Sequence, residues 1–263
     1  MDLSEVVLFD NAARHPWELA RLQVVKETLA SILDNANPKA EPFQILDIGC
    51  GDTFVIAKLA EYFPQARFIG LDINFTAEQL STFQEKYTGT NVTIHKSWDA
   101  IELEPSAIDV VLLLDVIEHI EDEISFMSSV ADNALIRDDT HFFITVPAYQ
   151  SLFAAHDVIL GHFRRYTSTS LKKRLAQAGL QTEMTRYFFS TLLFPRLAQK
   201  LIEKIKPRDV QAGSDVANWK GGEGTSKLIK NILILDYRVG SFFKAIGINI
   251  PGLSNLALCK RSV

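Results

Sequence analysis

Hydrophobic positions along the chain follow two alternating rhythms. Short apolar runs of strand type lie at 43–48, 67–71, 92–94, 108–114 and 140–146, and between them apolar residues recur every three or four positions, as on one face of a helix. The run at 108–114, IDVVLLL, is almost continuously apolar, the mark of a strand covered on both faces. Helical patterns are read over 17–33, 54–63, 76–87, 121–135 and 171–178, with Pro64 ending the second, Thr76 capping the third, and Gly179 closing the last, whose N-cap is read as Thr169 or Ser170. A sixth strand follows at 180–187, and a seventh at 253–260. Strands alternating with helices predict an α/β doubly wound sheet.

Between the last two strands lies an insertion with two helical patterns, around 194–205 and beyond the polar, glycine-containing loop 207–225. In the second, Leu228, Ile232, Leu235, Val239, Phe242 and Ile246 form one apolar stripe flanked by Lys227, Lys230, Arg238 and Lys244. The expected layout is a core at 1–190 with an N-terminal helical lid, a helical insertion at 191–250, and a final core strand at 251–263. Four readings of the insertion stay open: a hairpin docked on the sheet, a homodimer contact, a lid over an apolar tunnel, or a peripheral membrane face. Trp219 and its neighbouring glycines suit a segment that orders on binding.

The chemistry concentrates first at 43–74, FQILDIGCGDTFVIAKLAEYFPQARFIGLDIN. A strand runs into the turn Gly49-Cys50-Gly51, a helix follows, and the next strand stops at Asp72. In doubly wound sheets a ligand sits beyond the carboxyl ends of the strands, and an acid about 20 residues past the turn accepts hydrogen bonds from a ribose. A dinucleotide fingerprint wants a glycine where this chain has Phe54, and Asp52 is poor company for two phosphates. An NAD-dependent oxidoreductase is therefore disfavoured. Asp47, in Asp-x-Gly-x-Gly, suits a cationic ligand group such as an α-ammonium.

These residues resemble the cofactor motif of class I S-adenosylmethionine-dependent methyltransferases, whose first strand ends LDIGCG, as Leu46 to Gly51 do here; Thr53 departs from the family's usual third glycine. The resemblance implies a seven-stranded sheet, six parallel strands and one antiparallel, and S-adenosyl-L-methionine as cofactor. By position it assigns Asp47, Gly49, Cys50, Gly51 and Asp115 to the cofactor, Asp72 to the ribose and Asp99 to the adenine amino group; Ile73, next to the ribose acid, is read against an adenine face, and Trp98 either shields the adenine or fills a groove. It also places the first helix over the cofactor, with Phe9, His15 and Trp17 as lid or packing residues.

Asp115-Val116-Ile117-Glu118-His119 ends the fourth strand. His119 is either a base or positioning donor, or with Asp115 and Glu118 a divalent-metal ligand, or Glu118 and His119 merely cap a helix. No metal is expected. The loop AYQSLFAAHDVILGHFRRYTSTS gathers Tyr149, His156, Asp157, His162, Arg164, Arg165 and Tyr166. It resembles a methyltransferase subgroup with the signature VPAYQ…HD…GHxRRY, found with natural-product or surface-glycan assembly. His156 is read as the base with Asp157 or a nearby acid as its orienter, and Tyr149 joins the catalytic candidates. The arginines either clamp an anionic substrate group or tie the loop to the core.

Composition narrows the partners. Net charge is −5 with no basic tract, so a nucleic-acid partner is not expected. Two cysteines make neither a disulfide framework nor a thiolate metal site. With no signal-peptide pattern and no long apolar run, a cytoplasmic protein is expected. The reading is an O-methyltransferase of a small, lipidic or lipid-linked apolar acceptor. A non-catalytic adenosyl-cofactor-binding subunit that needs a partner chain is the alternative.

Overall fold

The computed structural model describes residues 14–36, 41–102, 107–205 and 221–262. Phe9, Trp219 and most of the 207–225 loop lie outside the described residues.

Seven strands, β1 (Gln44–Ile48), β2 (Arg67–Leu71), β3 (Val92–His95), β4 (Ile108–Leu114), β5 (Ile136–Pro147), β6 (Leu180–Phe188) and β7 (Ser254–Arg261), form one sheet in the order β3-β2-β1-β4-β5-β7-β6. Only β7 runs antiparallel to its neighbours. The seven-stranded α/β expectation holds, six parallel and one reversed.

Helices cover both faces. Successive side chains of a strand point to opposite sides, so Val110, Leu112 and Leu114 of β4 enter one core while Val111 and Leu113 enter the other. The first core is closed by α1 (Pro16–Asn35), α2 (Phe54–Tyr62), α3 (Ala77–Lys86) and α8 (Glu223–Ala245); the second by α4 (Glu123–Ala131) and α6 (Ser168–Gln177). The short α5 (Ala155–Ile159) lies in the loop after β5, and α7 (Leu193–Ile205) follows β6.

Local boundaries shift where a side chain competes for the backbone. Asp122 accepts from Ser125 N at 3.1 Å, so α4 starts at Glu123 rather than 121, and neither Glu118 nor His119 caps it. Thr167, not Thr169 or Ser170, caps α6 and accepts from Ser170 N at 3.1 Å. β5 reaches back to Ile136 through an irregular stretch in which Thr140 Oγ1 accepts from Arg137 N at 2.9 Å.

The stripe on α8 stays outside the core. The helix docks on α1 and β6 through buried Leu233 and Tyr237, with Tyr237 Oη 3.3 Å from Thr28 Oγ1. Leu228, Ile232, Leu235, Val239, Phe242 and Ile246 are all exposed. The stripe is therefore not the face that meets the sheet.

Candidate active site

Strained backbone collects at the carboxyl ends of the strands. Thr53, Asp115, Tyr149 and Phe189, all non-glycine, have φ between 57° and 66°, and they follow β1, β4, β5 and β6 respectively. Such conformations cost energy and gather where a site dictates the chain path.

The turn after β1 is shaped by contact. A Cβ on Gly49, at φ 72°, would lie 2.9 Å from Val116 Cγ2, so this residue must be bare for β1 and the Asp115–His119 segment to meet. Cys50 turns its thiol inward against Gly70, and burial pushes that thiol well up. Thr53 holds its left-handed conformation with its hydroxyl 2.8 Å from Tyr87 Oη, an anchor that a third glycine would lack.

Asp72, at the end of β2, is buried and oriented by two backbone donors, Gly51 N at 3.1 Å and Asn74 N at 3.0 Å. Its neighbour Ile73 is 70% exposed at the same strand end. Trp98, half-buried, packs on the second core from a short turn after β3, and Asp99 beside it is exposed. Asp47 is buried in β1, and burial pushes its carboxyl up to about 7 although Arg21 opposes the shift.

Arg21 is a residue that the sequence pattern did not single out. It projects from α1, is buried, and pairs with Asp115, which also accepts from Thr145 Oγ1 at 2.9 Å. Burial alone would raise the Asp115 carboxyl; Arg21 and Thr145 outweigh it and hold the group below the usual range. Asp115 is thus committed to Arg21 rather than to a metal. The start of α1 also meets the turn. Arg14 pairs with Asp52 and stacks 4.3 Å from the Phe54 ring centroid, while His15 caps α1 and Trp17 faces the Arg21 guanidinium at 5.1 Å.

Asp52 bears on cofactor class. Its Oδ1 accepts from Phe54 N at 3.1 Å, so a donor at the start of α2 already has a partner. With Asp47, Asp52 and Asp72 around it, the turn is built against a pyrophosphate and for a cationic or neutral group.

The loop after β5 is held over this edge by ion pairs. Asp157, fully buried, meets Arg165 Nε at 2.7 Å, Arg196 Nη2 at 2.6 Å and His162 Nδ1 at 3.0 Å, and accepts from Ala154 N at 2.9 Å. Burial alone would raise its carboxyl, but His162 and the arginines hold it well below the usual range. Arg164 pairs with Glu123 and donates to the carbonyls of Ile120 and Glu121 at 3.0 and 2.7 Å. Both loop arginines therefore tie the loop to the core.

The histidines sort differently from the expectation. Asp157 orients His162, not His156. Burial and then Arg196 bring His156 down to about 4. His162 lies edge-on to His119, ring centroids 4.6 Å apart, and Phe163 N donates to the Glu118 carbonyl at 2.8 Å, which straps the loop to the end of β4. Glu118, His119 and His162 each place one ligating atom within 4.8 Å of the others. Glu118 is fully buried, neither carboxylate oxygen has a hydrogen-bond partner among the described residues, and burial followed by Asp115 pushes the group well up. Tyr149 stacks on Tyr187 at 5.0 Å, and burial with that neighbour raises its phenol, leaving it a neutral donor. A cleft of about 630 Å³ lined by Asp109, Arg137, His141 and Lys260 opens elsewhere, at the amino ends of the strands. It holds none of these groups.

Residues 20–184 match the family model described as a methyltransferase domain. The chain belongs to that family. Its fold is that of the class I S-adenosylmethionine-dependent methyltransferases. The ubiquinone biosynthesis O-methyltransferase of Vibrio cholerae is 27% identical over 152 residues, 55% of this chain and 60% of the relative. The chain thus matches about 60% of the length of that curated relative. Among solved structures, a proposed sarcosine dimethylglycine methyltransferase from Galdieria sulphuraria superposes with TM-score 0.53 at 16% identity, covering 91% of this chain and 86% of the other. The cyclase SpnF does so at 0.51 and 14%, covering 92% and 82%. Such likenesses speak for the fold alone, and methyltransferase and cyclase names on one fold show why the site must decide the chemistry.

Proposed function

We propose that this methyltransferase-family chain transfers a methyl group from S-adenosylmethionine to an oxygen of a small or lipidic, mainly apolar acceptor, with His162 as the base. The observation that carries the reading is the buried Asp157–His162 pair, strapped beside Glu118 and His119 at the end of β4. When bound, the cofactor supplies an electrophilic methyl group on its sulfonium. Asp72 would accept the ribose hydroxyls, Ile73, Trp98 and Asp99 would hold the adenine, and Asp47 would meet the α-ammonium.

The chain's own work is positioning and proton removal. An ionised Asp157 accepts from His162 Nδ1–H, which fixes the tautomer and leaves the Nε2 lone pair free to take the acceptor's hydroxyl proton. Arg196 and Arg165 keep Asp157 ionised, so the imidazole cannot turn over and present the wrong nitrogen. Tyr149, a neutral phenol beside Tyr187, would donate to the acceptor. Holding acceptor and methyl in near-attack geometry supplies most of the acceleration. His156, brought down to about 4 by burial, is not given this role. The ubiquinone-pathway name of the relative supports an apolar phenolic acceptor.

The test is S-adenosylhomocysteine formation from a panel of phenols, catechols and prenylated quinols. His162→Ala is expected to slow turnover about 10²–10⁴-fold with cofactor affinity kept, and His156→Ala to stay within a few-fold of wild type. Full turnover in His162→Ala, or methyl transfer to nitrogen acceptors only, contradicts the reading. A second reading rests on Glu118, whose unpartnered oxygens together with His119 and His162 suit a divalent cation. Turnover abolished by a chelator and restored by a divalent ion would favour it.

A further inference from the structure

Two helices between β6 and β7 turn their apolar sides outward. On α7, Phe194, Leu197, Leu201, Ile202 and Ile205 are exposed, and their spacing places them on one face. The opposite, charged face is the one that packs. Arg196 reaches Asp157 and the Leu152 carbonyl, Lys200 donates to the carbonyls of Ser151 and Phe153, and Glu203 accepts from Ala155 N at 3.3 Å. A helix docked by its charges with its aliphatic side outward is the reverse of an ordinary surface helix. α8 repeats the theme, since its stripe from Leu228 to Ile246 is exposed while Leu233 and Tyr237 dock. Val158 and Phe163, from the loop over the candidate site, are exposed as well. Apolar exposure on this scale marks an interaction surface.

Charge indicates what covers it. Residues 191–250 carry ten Lys and Arg against five Asp and Glu, whereas the rest of the chain carries 17 against 27. Arg196 and Lys200 are taken up by the loop and Arg238 pairs with Glu27, so among the described residues the cations beside the exposed stripes are Lys227, Lys230 and Lys244 of α8. A second copy on the same face would oppose two like-charged surfaces across an isologous contact. An anionic lipid surface complements both the charge and the apolar stripes. No described helix is long and apolar enough to cross a membrane, so the contact is interfacial.

We propose that α7 and α8 rest in the interface of an anionic bilayer, with their apolar stripes at the acyl chains and the lysines that flank the α8 stripe, Lys227, Lys230 and Lys244, at the headgroups. The proposal stands apart from the assigned reaction, because the surface exists whatever the acceptor is. It also gives a lipidic acceptor a short path, since Arg196 bolts α7 to the loop that carries His162.

The test is flotation of the full chain with vesicles of phosphatidylcholine alone and of phosphatidylcholine mixed with phosphatidylglycerol. The expected result is flotation with the anionic vesicles, release by added salt, and little flotation with the neutral ones. Leu201→Glu with Ile205→Glu, and separately Leu235→Glu with Phe242→Glu, are expected to cut binding about tenfold or more. These side chains are exposed, so the thermal midpoint should hold, and salt release of the wild type tests the charge component without any variant. Absence of flotation, equal flotation with neutral vesicles, or undiminished binding by both variants overturns the proposal. So does a lipid-free dimer in sedimentation velocity that the same substitutions dissolve, which would give the face to a second copy.

Discussion

At the scale of single residues, the site is built from groups whose charge is set by burial and by one or two neighbours. Asp47 is the most informative. Its carboxyl, raised to about 7 by burial, is partly protonated near neutrality and must ionise to meet an ammonium. Cofactor binding is therefore expected to release a proton below about pH 7 and to lose this release at higher pH, where Asp47 is already ionised. Calorimetry in buffers of different ionisation enthalpy measures the release, and Asp47→Asn should abolish it. The turn and Asp72 were legible because glycine spacing and a strand-ending acid are local in sequence. The partner of Asp157 was not. The sequence places His156 beside it and His162 five residues on, and only the path of the short α5 and the following turn brings the His162 ring to the carboxylate. Arg21 was hidden for a similar reason, because a lone arginine in an amphipathic helix reads as a solvated face until its partner 94 residues away is known.

At the scale of elements, the Asp157 cluster joins three pieces of chain: the loop after β5, α7, and through His162 the end of β4. Asp157→Asn would leave Arg165 and Arg196 buried without their counter-charge, a change that costs about 3–5 kcal/mol when a buried pair loses one member. The expected outcome is a lowered midpoint in thermal or urea unfolding, together with loss of turnover. The pH dependence has a fixed sign. Asp157 is held below its usual range in the folded chain, so its contribution is complete above the ordinary carboxylate pKa of about 4 and fades as pH falls below it. Asp157→Asn should flatten that part of the acid-unfolding profile, and an unchanged profile would separate the cluster from stability. Helix caps show how far local signals reach. Thr76 was readable as the cap of α3, whereas α6 uses Thr167 because four Ser and Thr residues in a row, 167–170, offer the same chemistry and packing chooses among them. The α8 stripe was equally plain in the sequence, but periodicity reports that a face is apolar without saying what it faces.

At the scale of the whole molecule, alternating strand and helix patterns led directly to the doubly wound sheet, because strands buried on both faces leave near-continuous apolar runs and each parallel crossover needs a helix. The antiparallel β7 was placed by resemblance, since nothing in SNLALCKR states its direction. The whole-molecule claim is that the strained carboxyl edge of this sheet binds an adenosyl cofactor through Asp72 and the Gly49–Gly51 turn. Calorimetric titration of wild type and Asp72→Ala with S-adenosylmethionine, S-adenosylhomocysteine and NAD tests it most directly. Both adenosyl ligands are expected to bind the wild type and NAD is not, and Asp72→Ala is expected to weaken binding by about 1.5–3 kcal/mol for its lost charged hydrogen bonds. Binding of NAD, or adenosyl-ligand affinity indifferent to Asp72, would contradict it.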